Sequence, residues 1–312
     1  MRPAKVLHKA EIAKCPGVGG GVLPEMVGSA RAGWWRVPGD VVIGYRRMVS
    51  LKWQLCAGGC TFAPMKAVKL DILAIAVHPD DVELGCSGTL LMEKQNGKKT
   101  GVVDLTRGEL GTRGTPELRA EEAARAATIL GLDVRENLGM ADGFFRNDEA
   151  HQRRLIRAIR KYRPEIVLAN ALDDRHPDHG RAGHLITESC FLSGLRKVAT
   201  EDEEGRLQEH WRPKYVFHFI QDRYAHPTFV YDITPVFEAK LQSIRAYSSQ
   251  FFSTEYSENE PQTYISTPEF LNAIIGRHQM FGKMIGVPYA EGFITEKVIG
   301  VRDFDSFVQM DT

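Results

Sequence analysis

Two short clusters carry the residue types that do chemistry. The first is His78-Pro79-Asp80-Asp81 and the second is His176-Pro177-Asp178-His179. A catalytic zinc site typically takes three protein ligands and leaves a fourth position open. His78, Asp81 and His179 supply two imidazoles and one carboxylate, a donor set suited to Zn2+ and compatible with other divalent ions. Asp80, beside a ligand but not needed as one, could act as general base toward a water polarised by the metal. His176 could protonate a leaving group or support an oxyanion developing at a carbonyl. Asp178, between two histidines, could hold one imidazole in the required tautomer. Taken singly these signals are weak, since an Asp-Asp pair after a strand commonly forms a turn or helix cap. Their weight comes from occurring together, each at the end of an expected strand.

The elements that must position them read as α/β. Ile72-Leu73-Ala74-Ile75-Ala76-Val77 is a short apolar run ending before a proline, the pattern of a buried parallel strand. Gly85 and Gly88 then lead into a helical stretch at Thr89–Lys94. Lys98–Thr106 is a second strand, followed by the glycine-rich polar loop Arg107–Thr115. Thr115-Pro116-Glu117 starts a helix that closes near Gly131. Val134–Gly139 is a third strand, His151–Tyr162 an amphipathic helix, and Arg163–Asn170 a fourth strand whose following loop, Ala171–Gly180, holds the second cluster. Strand-helix alternation implies a mostly parallel, Rossmann-like sheet with helices on both faces, and right-handed crossovers bring the strand ends to one edge. Beyond Trp211 come strands at Tyr215–Ile220 and Thr228–Ile233, a helix at Thr234–Tyr247, a helix at Pro268–Gly282, and a loop at Tyr289–Phe293 before a last strand. This is a C-terminal β/α elaboration of the sheet.

The chain has 312 residues, 43% of them hydrophobic, and a formal net charge of zero. That balance calls for neither nucleic acid nor an anionic membrane as partner. No apolar run approaches the roughly 20 residues of a membrane helix. Five cysteines, an odd and scattered set, speak against a disulfide framework and for a reducing cytoplasm. Cys86 and Cys190 lie in apolar surroundings and read as buried thiols; His218 and His226 read as structural. Residues 1–64 keep neither helical nor strand period. They read as a disordered or non-native extension ahead of Met65, with the folded domain at 65–312. Cys56 and Cys60 lack a matching Cys/His pair for a zinc knuckle.

Ala76-Val77-His78-Pro79-Asp80-Asp81-Val82-Glu83, with His176-Pro177-Asp178-His179 downstream, resembles the signature of the PIG-L/LmbE family of metal-dependent N-deacetylases. The resemblance runs from about Lys66 onward. Within the family, Asp104–Thr115, Glu117–Ala123, Tyr247–Phe251 and Gly286–Phe293 look most like the bacillithiol-pathway deacetylases, which act on N-acetylglucosaminyl malate. The resemblance implies an LmbE-like fold, zinc on His78, Asp81 and His179, Asp80 as base, and His176 as acid or oxyanion partner. It also implies Arg119 in substrate binding and a homo-oligomer, relatives often being hexamers. Some relatives bring a tyrosine from the C-terminal half to the site, and the nearest position here is Phe270. A malate aglycone carries two carboxylates, and guanidinium groups bind carboxylates in a forked geometry. Arg107, Arg113 and Arg175, in or beside strand-end loops, are therefore candidate substrate ligands, and Asp142 a candidate for a sugar hydroxyl.

The expected reaction is hydrolysis of the acetamide of an N-acetylglucosamine conjugate. One alternative is the same chemistry on another N-acetylated sugar conjugate. The other, from a different class, is a non-catalytic Rossmann-like nucleotide-binding protein using Gly85-Cys86-Ser87-Gly88 as a phosphate loop. Against it, the chain has neither Gly-x-Gly-x-x-Gly nor Gly-Lys-Ser/Thr at that place.

Overall fold

The computed structural model describes residues 68–251 and 261–301, and the backbone of two short strands, β1 (Trp34–Val37) and β2 (Val41–Gly44). The chain divides into two units, Met1–Lys66 and Ala67–Thr312. In the first, β1 and β2 pair antiparallel, with Trp34 opposite Gly44. That hairpin was not expected from the sequence, although Pro38-Gly39-Asp40 between its strands has turn-forming chemistry. The remainder of residues 1–64, with Cys56 and Cys60, lies outside the described residues.

The second unit is built on a seven-stranded sheet. Its strands are β3 (Ile72–Ala76), β4 (Thr100–Thr106), β5 (Val134–Met140), β6 (Ile166–Ala169), β7 (Tyr215–Phe219), β8 (Phe229–Asp232) and β9 (Ala290–Ile294). They lie in the order β5-β4-β3-β6-β7-β9-β8. The first five are parallel, and β9 runs antiparallel to both of its neighbours. Strand β9 differs from the sequence expectation of a loop at Tyr289–Phe293. An acidic residue and a glycine argue against a central strand. Here Glu291 is buried against Lys240 Nζ at 2.7 Å, and Gly292 lets Phe281 approach so closely that a Cβ would meet its ring at 2.7 Å.

The helices are α1 (Asp81–Gly85), α2 (Ser87–Gln95), α3 (Pro116–Leu130), α4 (Glu149–Tyr162), α5 (Pro177–Ser193), α6 (Phe237–Arg245) and α7 (Pro268–Ile285). Strand β3 shows why they cover both faces. Its alternate side chains part: Leu73 and Ile75 join Leu155, Ile159, Leu185 and Ile186 of α4 and α5, whereas Ile72, Ala74 and Ala76 join Val82, Cys86 and Leu90 of the α1–α2 segment. All five residues of β3 are buried. Helix α3 begins as its sequence directs, Thr115 Oγ1 accepting from Leu118 N at 3.2 Å, with Pro116 at its first position and Gly131 left-handed at its end.

The sheet order reverses at β3, whose neighbours are β4 on one side and β6 on the other. Such a switch point opens a crevice at the carboxyl ends of the strands, where ligands bind in open α/β sheets. Both chemical clusters follow directly, one after β3 and one after β6.

Candidate active site

A pocket of about 230 Å³ opens there, walled by His78, Asp80, Asp81, His176 and His179 with Arg119 and Arg175. The chain turns sharply out of β3. His78 N–H donates to Asp81 Oδ2 at 3.0 Å, and Asp80 takes φ 145°, ψ −23°. That conformation is rare for a residue with a Cβ, so backbone strain sits at the proposed base. The second cluster is helical rather than part of a loop: α5 starts at Pro177, so Asp178 and His179 lie in its first turn. Proline sets the first helical φ at no cost in hydrogen bonds, which fixes where His179 points.

His78, Asp81 and His179 each offer an atom within 4.8 Å of the others. His179 Nε2 lies 3.2 Å from Asp81 Oδ1, and His78 Nδ1 lies 3.7 Å from Asp81 Oδ2. The outward nitrogens are held by carboxylates, His78 Nε2 by Asp142 Oδ1 at 2.9 Å and His179 Nδ1 by Asp174 Oδ2 at 2.6 Å. Those carboxylates accept from the outward nitrogens, so His78 Nδ1 and His179 Nε2 face inward, where each gives a lone pair to a divalent ion that displaces its proton. The donor set therefore fits a divalent ion.

The charges match. Burial raises Asp80 to about 7 against the pull of Arg119, whose Nη2 lies 3.8 Å from Asp80 Oδ2. Burial would also raise Asp81, but the facing His179 and His78 hold it well below the usual carboxylate range. His179, opposed by burial, is lifted by Asp81 and Asp174 to about 10. Burial, and then the neighbouring His78 and His179, depress His176. Its ring centroid is 5.0 Å from that of His78 and 5.1 Å from that of His179, and its Nδ1 accepts from Asp178 N at 3.3 Å.

Several sequence expectations fall elsewhere. Asp178 does not hold an imidazole by hydrogen bond: Oδ1 accepts from Arg181 at 2.6 Å and Oδ2 from Gly143 N at 2.8 Å. The orienting carboxylates are Asp174, which sequence reasoning missed, and Asp142, whose second oxygen accepts from Leu110 N at 3.0 Å. Asp142 borders the pocket, but both oxygens are engaged by protein groups. Arg119 is 6% exposed and borders the pocket; Gly108, at φ +66°, leaves its guanidinium room where a Cβ would approach to 2.3 Å. Arg175 borders it too, with Nε on Asp222 Oδ2 at 3.0 Å and its guanidinium 4.3 Å over the Tyr264 ring. Arg107 and Arg113 are not part of the wall. The loop carries Arg107 to the surface beside Gly139, and it ties Arg113 through its carbonyl, which accepts from Gln250 at 2.8 Å. Phe270 borders the pocket, with no hydroxyl to offer, and among the described residues no tyrosine lines it.

The phosphate-loop alternative meets a physical obstacle. Gly88 N and Thr89 N, the donors that would cradle a phosphate, give their hydrogens to Glu291 at 2.8 and 2.7 Å. Lys240 neutralises that carboxylate, and both side chains are fully buried. Gly85 serves close packing, since a Cβ there would strike Phe219 at 2.2 Å. The cysteines and histidines set aside as structural behave so. Cys86 and Cys190 are buried, His218 bonds the Asn170 carbonyl at 2.7 Å, and His226 bonds that of Pro227 at 3.1 Å.

An α/β sheet with a buried His/Asp cluster at its switch point defines the class. The PIG-L family model, described as GlcNAc-PI de-N-acetylase, matches residues 73–190. Diacetylchitobiose deacetylase of Thermococcus kodakarensis is 32% identical over 239 residues, covering 73% of this chain and 84% of that protein. A probable N-acetyl-α-D-glucosaminyl L-malate deacetylase 2 of Bacillus anthracis is 26% identical over 219 residues, covering 64% of this chain and 91% of that one. The crystal structure of a conserved protein from Thermus thermophilus, TT1542, matches with TM-score 0.66 and 38% identity, over 75% of this chain and 98% of that chain. The chain belongs to the PIG-L family of LmbE-like deacetylases. Among the described residues no helix is long and apolar enough to cross a membrane.

Proposed function

We propose that this protein is a zinc-dependent N-deacetylase of the bacillithiol pathway, cleaving the acetamide of N-acetylglucosaminyl malate through residues 65–312. The observation that carries the reading is the convergence of His78 Nδ1, Asp81 and His179 Nε2 with buried Asp80 beside them in one pocket. These three side chains would hold the ion, which supplies Lewis-acid polarisation of water and of the acetyl carbonyl. Asp80, poised near neutrality, takes a proton from the attacking water. The water oxygen bonds to the acetyl carbon, the carbon–nitrogen bond breaks, and the amine leaves with a proton. His176 supports the oxyanion or delivers that proton; acetate and a free amino sugar are the products. Arg119 and Arg175, cations in the pocket wall, bind the carboxylates of the aglycone.

A second reading, deacetylation of a neutral chito-oligosaccharide, is favoured by the 32% identity to the Thermococcus protein. Acetate release from N-acetylglucosaminyl malate and from diacetylchitobiose, compared as kcat/KM, decides between them. The acidic glycoside should be preferred by at least about tenfold, the equivalent of about 1.4 kcal/mol. A preference for the neutral disaccharide would refute the bacillithiol assignment and retain the deacetylase.

A further inference from the structure

The second torsion of an aspartate is broad and roughly two-fold, so a buried carboxylate ligand needs something to fix its plane. Asp81 Oδ2 accepts from His78 N at 3.0 Å and from Asn170 Nδ2 at 3.2 Å. Asp81 Oδ1 accepts from Gln221 Nε2 at 2.6 Å. Gln221 Oε1 accepts from Asn170 Nδ2 at 3.2 Å, and Asn170 Oδ1 accepts from Val77 N at 3.1 Å. The direction of this chain is forced. A backbone N–H only donates, so Asn170 must turn its oxygen to Val77 and its amide hydrogens to Gln221 and Asp81. Gln221 must then turn its oxygen to Asn170 and its amide hydrogens to Asp81. Both amides are buried, Asn170 at 0% and Gln221 at 4% exposure.

Gln221 lies just past β7 and outside residues 73–190, the stretch the family model matches. Its successors also reach the site. Asp222 pairs with Arg175, and Arg223 N donates to Asp174 Oδ1 at 2.7 Å, the carboxylate that holds His179. Three consecutive residues thus reach the candidate ligand, a wall arginine and an orienting carboxylate.

We propose that Gln221 is a positioning residue of the metal site. The Val77–Asn170–Gln221 relay turns the Asp81 carboxylate so that its open lone pairs face the space shared with His78 Nδ1 and His179 Nε2. The inference rests on the reading that His78, Asp81 and His179 hold the ion. Gln221→Met keeps the side-chain length and removes both of its hydrogen bonds, which leaves Asp81 held through Oδ2 alone and Oδ1 without its protein donor. Gln221→Glu keeps the shape and sets an oxygen where Asp81 needs a donor. Asp222→Asn, next in the chain, leaves every bond to Asp81 in place.

The test is Zn2+ affinity of the full chain, by competition with a chromophoric chelator, together with the visible spectrum of the Co2+ form and the melting midpoint of the metal-free form. Wild type should bind about one ion. Both Gln221 variants should bind it about 10–100-fold more weakly, the usual effect of removing an outer-shell partner, with an altered Co2+ spectrum. Asp222→Asn should stay within about threefold of wild type, below that range. If Gln221→Met lowers the metal-free melting midpoint, Gln221→Glu decides. Wild-type-like affinity in the Gln221 variants, or an equal loss in Asp222→Asn, overturns the positioning role. A wild type that binds no zinc refutes the ligand reading itself and the inference with it.

Discussion

Asp80 offers a test in which stability and activity part. Its backbone, at φ 145°, is held because the chain must leave β3, present the Asp80 carboxylate to the pocket, and start α1, whose first bond is Leu84 N to Asp80 O at 3.0 Å. A sparsely populated conformation of this kind costs about 1–3 kcal/mol for a residue with a Cβ. Asp80→Ala and Asp80→Gly both remove the carboxylate and leave Arg119 without its nearby charge, so their difference isolates the backbone. At an ordinary position alanine is the more stable of the two by about 0.4–1 kcal/mol, through the unfolded chain. At residue 80 relief of strain outweighs that, and the glycine variant should be the more stable by about 1 kcal/mol. Urea denaturation reads this as a higher midpoint at unchanged slope. Both variants should lose at least about 100-fold in kcat, as removal of a general base does. An alanine variant as stable as the glycine variant would refute the strain argument, and a variant with full activity would refute the assignment of the base.

Further outcomes follow from the same geometry. Asp174→Ala and Asp142→Ala each free an imidazole, and each should weaken zinc binding about 10–100-fold in chelator competition. Arg119→Met removes the charge that draws the Asp80 pKa down, so the acid limb of the kcat/KM–pH profile should move to higher pH; an unmoved limb would separate the two residues. Lys240→Met leaves Glu291 charged and fully buried, and should cost about 3–5 kcal/mol in denaturation with zinc stoichiometry unchanged.

Much of this was legible in the chain. The apolar run at 72–77 and the capped helix at 116–130 carried their own local signals, and the two clusters stood at strand ends where topology brings them together. What escaped depends on long-range contact. Asp174 looks like any loop aspartate until the sharp exit from β6 and the start of α5 set it on His179 Nδ1. Gln221 lies 140 residues from Asp81, its partner. Strand β9 was hidden because Glu291 reads as solvent-facing; Lys240, the amides of Gly88 and Thr89 and the Thr89 hydroxyl make it a core residue. Among the arginines, loop position alone could not separate Arg119 and Arg175, which border the pocket, from Arg107 and Arg113, which do not.

Whether His78, Asp81 and His179 hold a catalytic zinc is decided by the metal content of the purified wild type beside Asp81→Ala and His179→Ala, with acetate release measured on the same samples. Wild type should carry about one zinc per chain, with metal and activity lost together in both variants. Wild-type protein that takes up no metal after incubation with zinc, or variants that retain both metal and activity, would contradict it.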